Sequence, residues 1–213
     1  ALAKVNKLAE LEELVSVPNV AKIDQIGERC FDEALYDAAK ILFININNNA
    51  KLALCYVKME QYREAVDAAT KANSVPTWKE VNLSCLRAKE YRLANIAGLH
   101  IIVHPDHLEE LIAHYEKAGC STELMQLLEQ GLGLDNAHAG VFTELGVIYS
   151  KYLPEKLMEH IKIFHSKMNV PKLLRACEKA QLWNEAVYLY KEDGQLDAAV
   201  KTMVAHATAF KHE

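Results

Sequence analysis

Tyr36-Asp-Ala-Ala39, Tyr62-Arg-Glu-Ala65, Tyr91-Arg-Leu-Ala94 and Trp183-Asn-Glu-Ala186 each place an aromatic residue three positions ahead of an alanine, at the head of an apolar stretch. Weaker copies stand at Ser121-Thr-Glu-Leu124 and Pro154-Glu-Lys-Leu157. The pattern therefore starts at positions 36, 62, 91, 121, 154 and 183, in steps of 26, 29, 30, 33 and 29 residues. A unit near thirty residues holds two short helices and two turns, and recurrence of such units is the signature of a stacked helical solenoid. One helix pair cannot bury its apolar face alone, so each must pack on its neighbours. In this reading the aromatic supplies bulk and the alanine lets the next helix approach closely.

The remaining sequence fits a helical chain with a sizeable core. Of 213 residues, 51% are hydrophobic and 25% charged, with 8 Gly and 5 Pro to punctuate them. The helical period predicts helices near 3–15, 20–31, 33–45, 48–59, 62–73, 77–88, 91–100, 106–118, 121–131, 136–150, 154–167, 171–180, 183–192 and 196–207, and no strand. In the first, Val5, Leu8, Leu11 and Leu14 recur in steps of three while Glu10, Glu12 and Glu13 face outward. Pro18, Pro76, Pro105, Pro154 and Pro171 each suit a helix entry, because proline lacks the donor a helix interior needs. Gly119 and Gly194 suit helix ends that require positive φ, and Asn47, Asn48 and Asn49 make a polar turn of the same kind.

Composition narrows the function classes. A net charge of -5 argues against a broad nucleic-acid surface, which needs clustered Lys and Arg to displace phosphate counterions. Cysteines 30, 55, 85, 120 and 177 are odd in number and never form a C-x-x-C pair, so they read as buried reduced thiols of a cytoplasmic protein. The sequon at Asn82 falls inside a predicted helix and is read as unglycosylated. No apolar run approaches the ~18 residues of a membrane span, so membrane association is expected only indirectly.

Several residues carry chemistry that must be weighed against plainer roles. His100, His104, His107 and His114 hold the donors of a zinc site, but Pro105 interrupts them and no His-Glu-x-x-His order exists. They read as surface or turn histidines, and no metal is expected. Adjacent carboxylates such as Glu109 and Glu110, or Glu12 and Glu13, point in different directions on a helix and cannot act as an acid and base pair. Cys120 follows Gly119 near a helix start and reads as a small apolar residue rather than a nucleophile. The Gly131-Leu-Gly133 turn lacks the strand and further glycines of a dinucleotide fingerprint. No catalytic residue and no cofactor site emerge. Lys151, Lys156 and Lys162 flank one predicted helix start, with Lys167 beyond it. They suit either an acidic partner helix or an ordinary solvated face shared with Glu155 and Glu159, and the residues alone leave both readings open.

Leu2-Ala-Lys-Val-Asn-Lys-Leu-Ala-Glu-Leu-Glu-Glu13, Tyr36-Asp-Ala-Ala-Lys40, Lys71-Ala-Asn-Ser74, Thr77-Trp-Lys-Glu-Val81, Gly98-Leu-His-Ile101, Glu109-Glu-Leu-Ile112, Phe142-Thr-Glu-Leu145 and Tyr149-Ser-Lys151 resemble the clathrin heavy-chain family, in order and from the first residues to about Met203. The resemblance implies an all-α, right-handed α-solenoid of short antiparallel helix pairs. It implies one continuous segment, 1–213, of the proximal leg, spanning parts of two heavy-chain repeats with a boundary in the range 75–105. A segment of that kind holds neither the family's amino-terminal β-propeller nor its carboxyl-terminal tripod, so adaptor binding and trimerisation are not expected of it. After Gly119, where the family often has aromatics, this chain has Cys120 and Ser121.

The function so implied is architectural rather than enzymatic. A semi-rigid leg segment packs against other heavy-chain legs on the cytoplasmic face of coated pits and coated vesicles, in endocytosis and intracellular protein transport. It also carries the clathrin light chain. The family's light-chain-contacting lysine maps through Tyr149 to Lys156 onto Lys156, with Lys151 beside it. His107 and His114, seven apart on one predicted helix, are expected to make lattice contacts sensitive to pH. The competing class is a generic helical-repeat scaffold of another coat or tethering complex. A tetratricopeptide array would show a 34-residue period, which these steps do not.

Overall fold

The computed structural model describes residues 20–210; the predicted helix at 3–15 and Pro18 lie outside the described residues. Thirteen α-helices and no strand occur among them: α1 Val20–Asp32, α2 Tyr36–Asn45, α3 Asn49–Lys58, α4 Tyr62–Ala72, α5 Val75–Arg87, α6 Tyr91–Ile102, α7 Pro105–Lys117, α8 Ser121–Gly131, α9 Ala139–Tyr152, α10 Leu157–Phe164, α11 Val170–Lys179, α12 Trp183–Glu192 and α13 Leu196–Ala205. Successive helices pack in pairs, the arrangement of an α-solenoid. The chain divides into two compact units, Ala1–Ile101 and Ile102–Glu213.

The opening pattern owes its regularity to one recurring corner. Ala34, Asn47, Glu60, Lys89, Gly119, Gln181 and Gly194 all have positive φ, between 55° and 74°. The residue after each donates its N–H to a carbonyl five residues back, as in Leu35 to Cys30 at 2.8 Å, Glu90 to Cys85 at 2.8 Å and Leu182 to Cys177 at 2.9 Å. That is the closing bond of a Schellman C-terminus. The same residue's carbonyl then accepts the first amide of the next helix, from Ala39, Ala94 and Ala186 at 2.9–3.1 Å. One residue thus ends one helix and starts the next. The patterned alanine is the fourth helical residue, and Ala39, Ala65, Ala94 and Ala186 are at most 1% exposed.

The patterned aromatics are not core bulk. Tyr91 is 37% exposed, Tyr36 packs its ring edge on Phe31 at 5.3 Å, and Trp183 stacks on His206 at 3.5 Å. As the first residue of its helix, the aromatic rides over the corner while Phe43, Trp78 and Tyr115 fill the interior. The copy at Pro154 is no such corner either. Leu153 ends α9 ahead of the proline at φ -148° and ψ 61°, outside the helical region, and the predicted helix 154–167 is α10 flanked by 3-10 turns at Pro154–Lys156 and His165–Lys167. Leu196-Asp-Ala-Ala199 is a further true copy that the sequence reading passes over.

Punctuation falls where proline and glycine chemistry places it. Pro76, Pro105, Pro154 and Pro171 occupy first-turn positions, and Gly119 and Gly194 take φ of 70° and 74° at helix ends. All five cysteines are buried and unpaired, and burial pushes the thiols of Cys55, Cys85 and Cys177 up to about 12. Asn82 is 2% exposed and donates its amide to the Ala94 carbonyl at 2.7 Å, which leaves no room for a glycan. No helix among the described residues is long and apolar enough to cross a membrane.

Within the second unit, two contacts position α9 and its neighbours. His138 caps α9: its Nδ1 accepts from the Gly140 amide at 3.1 Å, and its Nε2 donates to the Ile102 carbonyl at 2.8 Å. On the same helix Gly146 faces Leu173 of α11, where a Cβ would stand 2.9 Å from Cδ1. The missing side chain lets α9 and α11 pack closely and fixes the spacing of their ends.

Candidate partner-binding surface

The surface is built around the carboxyl end of α9. Val141, Phe142, Leu145, Ile148 and Tyr149 commit this helix to the core, while its last turn reaches solvent, where Lys151 and Tyr152 are exposed. Pro154 then forces the chain through a 3-10 turn that ends on Lys156. The two lysines indicated by sequence therefore lie on either side of one turn, both exposed, and they engage different carboxylates.

Lys156 Nζ lies 3.0 Å from Oε1 of Glu129 on α8 and 5.7 Å from the Tyr149 ring centroid. Tyr149 donates its hydroxyl to the same carboxylate oxygen at 2.6 Å. Burial alone would raise the Glu129 carboxyl, but the two donors outweigh it and hold it below the ordinary range. The Tyr149 phenol is driven upward, by burial first and then by the Glu129 charge. Lys151 Nζ reaches Glu116 of α7 at 2.8 Å, and Tyr152 donates to that carboxylate at 3.2 Å.

A third lysine, absent from the sequence reading, completes the surface. Lys172 of α11 bridges Glu144 at 2.5 Å and Glu109 at 2.9 Å. Its ammonium is raised, chiefly by the bond to Glu144, while Glu109 is lowered by its bond to Lys172. Arg175 and Lys179 continue the row along α11, both exposed, with no ion pair among the described residues. The signal was present as basic residues at i, i+3 and i+7 in a helix whose other face is Leu173, Leu174 and Cys177. Lys162 and Lys167 belong elsewhere, their ammonium groups 6.0 Å and 5.1 Å from the ring centroids of Tyr188 and Phe142.

The histidines divide among different environments. His100 stacks on Trp78 at 4.1 Å and 4°, and burial lowers its imidazole. His104 precedes α7 and meets the ring of His107 edge-on at 6.3 Å. His107 and His114 share α7 and are both half-buried. Among the described residues, no group of His, Cys, Asp or Glu is arranged to hold a metal ion. Cys120 is 7% exposed with Sγ 3.6 Å from the Ala118 carbonyl.

Residues 1–93 and 99–213 match the sequence family described as Region in Clathrin and VPS. The chain is 54% identical over 207 residues to the clathrin heavy chain of Dictyostelium discoideum, a match covering 97% of this chain and 12% of that protein. It is 52% identical over 213 residues to clathrin heavy chain 1 of Arabidopsis thaliana, covering 100% and 12%. It is 48% identical over 208 residues to clathrin heavy chain 2 of Homo sapiens, covering 98% and 13%. The chain thus spans 12–13% of the length of these curated relatives.

Proposed function

The chain belongs to the clathrin heavy-chain family, and from that premise we propose that it is a non-enzymatic leg segment of a polyhedral vesicle coat that packs against other heavy-chain legs and carries a light chain. Its place is the cytoplasmic face of coated pits and vesicles, where it serves endocytosis and intracellular protein transport and meets the membrane only through adaptors bound elsewhere. The segment covers parts of two heavy-chain repeats. The family match in two stretches, 1–93 and 99–213, supports that division.

The observation that carries the light-chain reading is the exposure of Lys151 and Lys156 on either side of the Pro154 turn, each held by a carboxylate at the surface. Exposed ion pairs are worth about 0–1 kcal/mol, so an incoming acidic helix can exchange its own carboxylates for Glu116 and Glu129 at little cost. In a full-length heavy chain, Lys151→Glu with Lys156→Glu should abolish light-chain recruitment to assembled coats while coats still form. Undiminished recruitment would remove both lysines from the contact.

Lattice contacts of individually small energy add through multivalency and remain reversible. His107 and His114 share α7 and are both half-buried, and they are the residues assigned to a pH-dependent part of such contacts. Full-length chains carrying His107→Gln and His114→Gln should assemble with a flatter pH profile between about pH 6 and 7.5. An unaltered profile would exclude these two residues from the lattice contact.

A further inference from the structure

We propose that the groove between α1 and α3, in the first unit, docks a basic amphipathic helix of a partner protein, with an apolar side chain in the groove and Lys or Arg along its acidic rim.

The rim is written into α1. Asp24, Glu28 and Asp32 recur at i, i+4 and i+8, while Ile23, Gly27 and Cys30 turn inward. Each step of four residues turns the helix by only ~40°, so the three carboxylates share one face over ~12 Å. Glu28 and Asp32 are exposed, and the Asp24 side chain is 47% exposed. Lys51 of α3 is the cation that meets this row. It pairs with Asp24 at 3.3 Å and with Glu28, and its ammonium lies 5.7 Å from the Phe43 ring centroid. Burial alone would lower the Lys51 ammonium, but its bonds to Glu28 and Asp24 outweigh that and raise it. Asp32 has no ion pair among the described residues, and Arg29 on the same helix pairs with none of the three. The rim therefore keeps an excess of negative charge.

Behind the rim the surface turns apolar. Phe31, Phe43 and Leu54 line a groove of about 360 Å³, with Glu28, Asp32 and Lys51 around it. Phe43 is 1% exposed and forms the floor; a Cβ on Gly27 would stand 2.7 Å from its ring, so the glycine is what lets the ring lie against α1. Phe31 and Leu54 are half-buried and form the walls. Ligand pockets run from about 300 to 1,000 Å³, so this one seats a bulky side chain rather than a whole helix.

Charge and shape together select the occupant. A basic helix laid along α1 puts one apolar side chain between Phe31 and Leu54 and sets Lys or Arg, four residues apart, against Glu28 and Asp32. Exposed ion pairs contribute little, so its cations exchange with Lys51 at small cost. An acidic helix would meet three carboxylates and one ammonium, and a free polyamine would leave the apolar walls wet. The same unit holds a groove of about 600 Å³ at the ends of α3 and α5, where Lys58 and Arg87 stand against the single carboxylate of Glu60. Its charge is reversed, so a basic helix distinguishes the two. The inference is independent of the light-chain reading, which concerns the second unit and a partner of opposite charge.

A fluorescent synthetic helix of about 20 residues, with a leucine stripe flanked by lysines and arginines, is titrated into the chain and its variants. The parent should bind, and Glu28→Lys with Asp32→Lys should weaken binding at least about tenfold. Glu64→Lys with Asp67→Lys on α4 makes the same change of charge at exposed positions away from the groove and should alter binding less than about twofold. Glu28→Gln with Asp32→Asn, judged folded by circular dichroism, guards against a fold defect and should also lose affinity. A peptide with serines in place of the leucines should bind at least about tenfold more weakly to the parent. No binding by the parent overturns the proposal. So does an equal loss in the α1 and α4 variants, which would mean general charge attraction alone, and so does undiminished binding of the serine peptide, which would mean that the groove is not entered.

Discussion

Tyr149 and Glu129, twenty residues apart in sequence, are joined by a 2.6 Å hydrogen bond from the phenol to the carboxylate. The bond ties the last turns of α9 to α8 and pre-orients Glu129 for Lys156. Tyr149 is 5% exposed, so its hydroxyl can find no full replacement in solvent. Tyr149→Phe should cost about 1–2 kcal/mol, which lowers the thermal midpoint by about 2–8 °C for a chain of this size. Differential scanning calorimetry checks it, and an unchanged midpoint would mean that the bond is not made in solution.

The lysines themselves should behave differently. Lys151 and Lys156 lie in exposed pairs, so Lys151→Ala or Lys156→Ala should each change stability by less than about 1 kcal/mol in urea unfolding. A larger loss would show that these side chains are structural, and binding defects of the charge-reversed variants could then not be read as lost contacts.

Burial sets the sign of the pH response. His160 is 5% exposed, donates to the Phe142 carbonyl at 2.8 Å, and is enclosed by the rings of Tyr149 and Phe164, with the charge of Glu129 nearby. Burial lowers its imidazole below the ordinary value of 6.5, as it does for His100. The unfolded chain therefore binds these protons first. Their stabilising contribution is complete above pH 6.5 and is lost as pH falls from there toward the lowered folded values. The parent should have a lower unfolding midpoint at pH 5.5 than at pH 7.5, and His160→Gln should narrow the difference. An equal difference in parent and variant would show that His160 does not titrate across unfolding.

Much of this fold was legible because the corner is written in neighbouring residues, an aromatic at the first helical position and a small residue at the fourth. Helix starts at Tyr36, Asn49, Tyr62 and Val75, and again at Val170, Trp183 and Leu196, fall in steps of thirteen. Sequence spacing between the aromatic copies exposed only every second corner, because Asn49 and Val75 lack the aromatic. The left-handed residues were visible only where glycine or asparagine occupies them. Ala34, Glu60, Lys89 and Gln181 carry no such mark, and tertiary packing of the flanking helices imposes their φ. At the surface, Lys151 and Lys156 were legible from resemblance. The row on α11 was not, since its meaning depends on α9 and α11 packing through Gly146 and Leu173.

Those unmarked corners predict an easy gain. Lys89 and Gln181 hold φ of 63° and 58°, a conformation that disfavours any side chain with a Cβ. Lys89→Gly and Gln181→Gly should each stabilise by about 0.5–1 kcal/mol. Chemical denaturation measures it, and destabilisation by both would contradict the corner geometry.

The buried thiols predict a chemical silence. Cys55, Cys85 and Cys177 are 0% exposed and pushed up to about 12, so at pH 8 they should resist alkylation until the chain is unfolded. Peptide mass mapping after iodoacetamide, with and without urea, reads the result. Prompt modification of all three in the native chain would mean that the helix pairs open readily.

The most direct test of the coat-segment account is calorimetric titration of a clathrin light chain's central helical segment into this chain at two salt concentrations, beside a variant with Lys151→Glu and Lys156→Glu. The account predicts binding by the parent that weakens with salt and disappears in the variant. Equal binding by a folded parent and its variant, or none by the parent, would contradict it.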